Sequence, residues 1–185
     1  MLLLGCGSAP PAQWAADPTN ANSYQDQLTQ WTRHGEAHRM LDGLLYADAT
    51  LISPAFALAH AREEAERMGL PNAERSVIEQ RQTQEADQAI RFHLSVVTQE
   101  PGWNNLDARR PTFRLRLMQG EIAVPPTAIK RLDSTMQDQT AAYFPYVHPM
   151  AERYWVSFPK PEQSGDVVLR IAGAPGRVDL RWEMK

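Results

Sequence analysis

Two periodicities divide the chain. From Tyr24 the apolar and small residues Tyr24, Leu28, Trp31, Gly35, His38, Leu41 and Leu45 recur at spacings of three and four, so a helix from about Ser23 to Tyr46 is expected. The run Asp48-Ala49-Thr50-Leu51-Ile52 then lowers helix propensity through its β-branched residues. Ser53-Pro54 supplies an N-cap with proline at the first helical position, which predicts a second helix from Pro54 through an alanine-rich stretch to Met68. Gly69 and Pro71 end it. Asn72 is expected to cap a third, more polar helix reaching about Gln88, with Val77, Ile78 and a few alanines as its core face.

After Ala89 the period becomes two. Ile90, Phe92, Leu94 and Val96 alternate with Arg91, His93 and Ser95, the pattern of a half-buried strand that puts His93 on a polar face. The alternation returns in Phe113–Leu117, Tyr154–Phe158, Val167–Ile171 and Val178–Trp182. Gly173-Ala174-Pro175-Gly176 is short enough to join the last two as an antiparallel hairpin, and Gln119-Gly120-Glu121 joins Phe113–Met118 to Ile122–Val124. A further extended stretch is expected around Tyr143 to Val147. Pro125-Pro126 lacks two N–H donors and should mark a bend or an edge. The expected fold class is α+β: two to three N-terminal helices followed by an antiparallel β-sandwich-like domain, with an open sheet covered by the helices as the alternative. The chain divides accordingly into 1–22, 23–89 and 90–185.

The first of these segments has its own chemistry. Cys6 is the single cysteine, so no intramolecular disulfide can form. Leu3-Leu4-Gly5-Cys6 resembles the lipobox of bacterial lipoproteins, in which the thiol is joined to diacylglycerol and the bond after a small residue is cleaved. That resemblance implies lipid attachment at Cys6, and Gly7 in place of aspartate implies the outer membrane, facing the periplasm. Five residues before Cys6 are too few for a signal peptide, so the gene product is expected to start further upstream. Residues 7–22 are rich in Pro, Ala, Asn and Ser with no apolar period, which reads as a tether spanning about 20–25 Å.

The whole layout is similar to uncharacterised bacterial lipoproteins that pair a helical N-terminal region with a β-rich C-terminal domain. The residues carrying the similarity are Trp103-Asn104-Asn105-Leu106, Pro125-Pro126, Phe144-Pro145, Tyr154 to Pro159 and Leu180-Arg181-Trp182, and they imply architecture rather than an activity.

Charge narrows the partners. The net charge of −3 and the pI near 5.9 argue against nucleic acid, because tracking phosphates needs a basic excess. The charge is unevenly spread, however: residues 1–90 carry 12 acidic and 6 basic side chains, and residues 91–185 carry 10 and 13.

No pattern of catalytic residues emerges. There is no Gly-x-Ser-x-Gly elbow, phosphate-binding glycine loop or dinucleotide fingerprint. His34 and His38 are four apart and would share a helix face, but Glu36 falls elsewhere and no third ligand can be named, so they are read as surface histidines with His38 partly buried, and no metal is expected. His60 and His148 are isolated. Glu63, Glu64 and Glu66, with Arg62 and Arg67, read as a solvated helix face. Two weaker candidates for a surface site remain. Arg114, Arg116, Arg170 and Arg181 form a basic patch if their strands are neighbours, and Trp155 points opposite to Tyr154 and Val156, where helices are expected to cover it. Together these features predict a non-enzymatic envelope lipoprotein without a cofactor, bound to the membrane through Cys6 and to an envelope protein through its surface. A small-ligand or glycan-binding module is the alternative, and an enzyme acting on envelope material is less favoured.

Overall fold

A computed structural model describes residues 23–146, 148, 150–160 and 165–183, so Cys6 and the tether expected over 1–22 lie outside the described residues. The first helix, α1 (Tyr24–Trp31), opens with a capping box: the Ser23 hydroxyl accepts from the Asp26 N–H while the Asp26 carboxylate accepts from the Ser23 backbone. It ends at Trp31 and not near Tyr46. The chain continues into an antiparallel hairpin, β1 (Thr32–Arg39) and β2 (Asp42–Leu51), so the single helix expected over 23–46 is corrected to one short helix and two strands.

The reason is long-range. A Cβ at Gly35 would lie 2.6 Å from Val178 Cγ1 and 2.7 Å from Leu180 Cδ2, so the missing side chain is what lets β1 pack against the C-terminal strand. Leu45, Ala47, Ala49 and Leu51 face inward from β2, alternating with Tyr46, Asp48 and Thr50.

The next helix, α2 (Pro54–Arg67), begins as expected, with the Ser53 hydroxyl accepting from Phe56 N–H at 3.1 Å, and the chain leaves it through Gly69 at φ +64°. Phe56, Ala57, Ala61 and Ala65 form its buried stripe. Helix α3 (Asn72–Gln88) folds back along it, with Pro71 and not Asn72 in the N-cap position, and only Ala86 is buried. Polar links hold the pair: Gln82 donates to Glu64 at 2.6 Å, and Arg62 reaches Glu79 at 3.5 Å.

The remaining strands are β3 (Ala89–Thr98), β4 (Phe113–Gln119), β5 (Ile122–Val124), β6 (Ala128–Arg131), β7 (Glu152–Pro159), β8 (Val167–Gly173) and β9 (Arg177–Trp182). All pairings are antiparallel, in one sheet ordered β1-β2-β3-β7-β6 and another ordered β5-β4-β8-β9. Pro125-Pro126 lies where the chain leaves the four-stranded sheet at β5 and enters the five-stranded sheet at β6, so the absent N–H groups interrupt no ladder. The α+β class is shown, but the helices are not all N-terminal. Asp133 caps a further helix, α4 (Ser134–Ala141), accepting from Met136 N–H at 2.9 Å.

The two sheets share one core. Phe92, Leu94, Tyr154, Val156 and Phe158 meet Phe113, Leu115, Leu169, Ile171 and Trp182 in a single cluster. Trp182 is fully buried, and its indole N–H donates to the Trp31 carbonyl at 2.8 Å, tying the end of α1 to the last strand. The extended stretch expected at Tyr143–Val147 does not join a sheet within its described residues, 143–146. These instead run irregularly across the outer face of the five-stranded sheet.

Candidate functional site

The outer face of the four-stranded sheet gathers the predicted arginines. Inward residues such as Phe113, Leu115, Leu169 and Ile171 fix the phase of the strands, and their alternates point outward. In register, Arg116 stands opposite Arg170 and Arg170 opposite Asp179, while Ala172 lies between Arg114 and Arg177. Val168 lies between Met118 and Arg181. The four predicted arginines therefore do share one face, and Arg177 joins them. The sequence reading misses Arg177, although the Arg177/Val178/Asp179/Leu180/Arg181 alternation places it on the same side as Arg181.

The Asp179 carboxylate pairs with two of these five guanidinium groups. Arg170 donates to Asp179 from Nε at 2.8 Å and from Nη2 at 2.9 Å, and Arg177 Nε donates to the same carboxylate at 3.0 Å. These hydrogen bonds hold the Asp179 carboxyl well below the usual carboxylate range. Arg116 donates only to the backbone carbonyl of Leu115, at 2.9 Å, and Arg114 and Arg181 make no ion pair with any described residue. The remaining residues of the face, Met118, Ala123, Val168 and Ala172, are uncharged.

Trp155 is half-buried on the outer face of the other sheet, where its ring packs against Phe144 and His93. Its neighbour in register, His93, expected on the polar face of its strand, is fully buried there. The His93 ring stacks on Phe144 with centroids 3.9 Å apart and 12° between planes. A polar row runs beside the stack: His93 Nδ1 to the Tyr146 hydroxyl at 2.9 Å, that hydroxyl to Thr50 at 2.6 Å, and Thr50 to Thr32 at 2.8 Å. Burial, reinforced by the Arg153 charge, lowers the His93 pKa to about 3, and burial lowers that of His60 as well. An imidazole with a pKa that low is a poor general base near neutral pH.

Beside Trp155 a cavity of about 270 Å³ opens between α2, α3 and the sheet, lined by Ile52, Phe56, His60, Arg81, Arg91 and Trp155 among others. The Arg91 guanidinium lies 5.6 Å from the Trp155 ring centroid and donates to Glu85 at 3.0 Å. His60 is bonded to Gln82 at 3.1 Å. Arg81 has no ion pair with a described residue and is the uncommitted charge at the rim.

A broader cleft of about 660 Å³ lies over β1 and β2, lined by His34, Glu36, Tyr46, Asp48, His148 and Met150 with their neighbours. His34 and His38 are on a strand rather than a helix, and His38 is exposed rather than partly buried. His34 Nδ1 bonds the Asp48 carboxylate, and His38 Nε2 reaches Glu36 at 3.2 Å. The register His34, Asp48, Ser95 puts the carboxylate between the imidazole and the hydroxyl, the wrong order for a histidine-activated serine. Among the described residues no cluster of three or more His, Cys, Asp or Glu side chains can hold a metal ion. Nor is any helix there long and apolar enough to cross a membrane.

Compared with protein-family models, curated proteins and solved structures, the chain matches none.

Proposed function

We propose that this chain is a bacterial envelope lipoprotein built on a β-sandwich-like scaffold, a non-enzymatic interaction or accessory assembly component. It is held at the outer membrane, facing the periplasm, by lipid on Cys6. The observation that carries the interaction reading is the outer face of β4, β8 and β9, which gathers Arg114, Arg116, Arg170, Arg177 and Arg181 while its Asp179 carboxylate pairs with Arg170 and Arg177 and leaves Arg114, Arg116 and Arg181 without an ion pair to a described residue. On a chain of net charge −3, such a concentration of one sign is a local field. It speeds encounter with an acidic surface and penalises a basic one. Arginine is also the cation that interfaces favour, because its planar fork pairs with carboxylates in two-point geometry. The partner is therefore an acidic surface of an envelope protein. The uncharged residues of the face, Met118, Ala123, Val168 and Ala172, offer no ring on which a base would stack, which weighs against nucleic acid. The low His93 pKa and the register of His34, Asp48 and Ser95 support the non-enzymatic reading.

A second reading, a small-ligand or glycan-binding module, is favoured by the cavity beside Trp155 with its apolar floor and polar rim. Photocrosslinking in native cells separates the two. A crosslinking amino acid at Arg116 should capture one protein, with a yield that falls as salt rises, while the same group at Arg81 beside the cavity captures none. Capture from Arg81 alone would favour the second reading and overturn the first. The anchor has its own test: Cys6→Ala expressed behind a lipoprotein signal peptide should lose acylation and leave the membrane fraction at about 1 M salt, where screening limits charges to about 3 Å. A lipid-sized mass on that variant would refute attachment at Cys6.

A further inference from the structure

The hairpin between β1 and β2 turns through Met40 and Leu41, and these two residues are 95% and 99% exposed. Both choices work against the local fold. Met40 has φ +58°, a conformation that glycine adopts freely and a long L side chain does not. Tight hairpin turns are ordinarily made of Gly, Asn and Asp, which are soluble as well as permissive. Here two large apolar side chains occupy the turn, projecting from the fold with no described residue covering them.

The residues behind the tip are amphipathic or charged. Arg39 stands opposite Asp42 in register, and its guanidinium has no ion pair with a described residue. One step further back, the Tyr46 ring leans over Gly43, whose missing Cβ would lie 2.1 Å from the Tyr46 hydroxyl, and packs edge-on against His38 at 5.6 Å. Tyr46 remains 42% exposed.

We infer that this hairpin tip dips into a lipid bilayer, with Met40 and Leu41 in the acyl region and Arg39, His38 and Tyr46 at headgroup level. A convex apolar tip needs a fitted pocket to bind a protein, whereas a bilayer accepts any apolar shape. The order along the hairpin is that of an interface: apolar residues at the end, then an arginine able to reach lipid phosphate, then a tyrosine whose ring and hydroxyl suit the boundary. The contact does not depend on acylation of Cys6, so it can fail while the lipoprotein reading stands, and the reverse. One shallow insertion is a weak, reversible attachment that would orient the protein rather than hold it there.

The test uses the full chain carrying Cys6→Ala, which removes both the acylation site and the only cysteine. Leu41→Cys then gives one thiol for an environment-sensitive fluorophore, and Val77→Cys on α3 gives a control at another exposed apolar position. With vesicles of phosphatidylethanolamine and phosphatidylglycerol, the label at 41 should shift to the blue and be quenched by lipids carrying a shallow nitroxide. The label at 77 should do neither. Without label, Met40→Gly with Leu41→Ser suits the turn better and should fold at least as well, yet bind vesicles roughly tenfold less, the equivalent of about 1.4 kcal/mol. An unshifted label at 41, equal binding by the double variant, or a protein rather than lipid captured by a crosslinker at 41 would overturn the proposal.

Discussion

The outer faces of the two sheets start from the same strand alternation and end in opposite states. On the four-stranded sheet, Arg114, Arg116, Arg170, Arg177 and Arg181 meet solvent. On the five-stranded sheet, the corresponding outward row of Thr50, His93 and Trp155 lies beneath Phe144, Tyr146 and α2. Alternation decides which way a side chain points, and the rest of the chain decides what it meets there. On this comparison the covered face contributes stability, and the bare face is the one proposed for recognition.

The largest expected effect lies on the covered side. Phe144 is 1% exposed and stacks on His93, so Phe144→Ala should destabilise the protein by about 3–5 kcal/mol in denaturant unfolding, the range for deleting a buried large aromatic. Trp182→Ala, which opens the core between the sheets and removes the hydrogen bond to the Trp31 carbonyl, belongs in the same range. An unchanged unfolding midpoint for Phe144→Ala would mean that the 143–146 segment is not part of the folded unit.

An intermediate effect is expected from pH. His93 stays neutral in the folded protein down to about pH 3, whereas an unfolded histidine protonates near pH 6.5. Below about pH 6.5 the unfolded state therefore binds the extra proton, and stability falls with pH until the folded group titrates as well. Between pH 6.5 and 5 this amounts to roughly 2 kcal/mol. His93→Gln should start less stable and lose that much less over the same interval. Parallel pH profiles for the two proteins would show that His93 is not held neutral. Asp179 acts lower on the scale: its depressed folded pKa contributes stability above the ordinary carboxylate value, lost as pH falls through the folded one.

The smallest effect on stability belongs to the bare face. Arg114→Ala and Arg181→Ala should shift unfolding by less than about 0.5 kcal/mol, because neither side chain is ion-paired to a described residue or buried. A loss of several kcal/mol would mean that these arginines hold the fold and would erase the contrast between the faces.

Much of the strand pattern is legible directly. Runs such as Phe113–Leu117 and Val178–Trp182 alternate over enough residues to reveal their phase, and Ser53-Pro54 announces α2 in two letters. The hairpin of β1 and β2 cannot be read from the stripe at Tyr24, Leu28 and Trp31, because that stripe continues by chance through Gly35 and His38. What settles Gly35 is Val178 and Leu180, far along the chain. The alternation Leu45, Ala47, Ala49, Leu51 is visible but competes with the helical spacing. Periodicity puts His93 on the correct side of its strand but in the wrong environment, since its cover comes from Phe144 and Tyr146 in a segment without period. For the arginines, direction is legible in each strand, whereas their adjacency requires the order β5-β4-β8-β9.

The claim that the bare face does the binding is tested most directly by charge reversal in cells. Partner yield from a crosslinker at Arg116 should collapse when Arg114 and Arg181 are both changed to Glu, with the unfolding midpoint of the purified variant close to that of the parent. The same yield with those charges reversed, in a protein that is folded and present at equal abundance, would contradict the account.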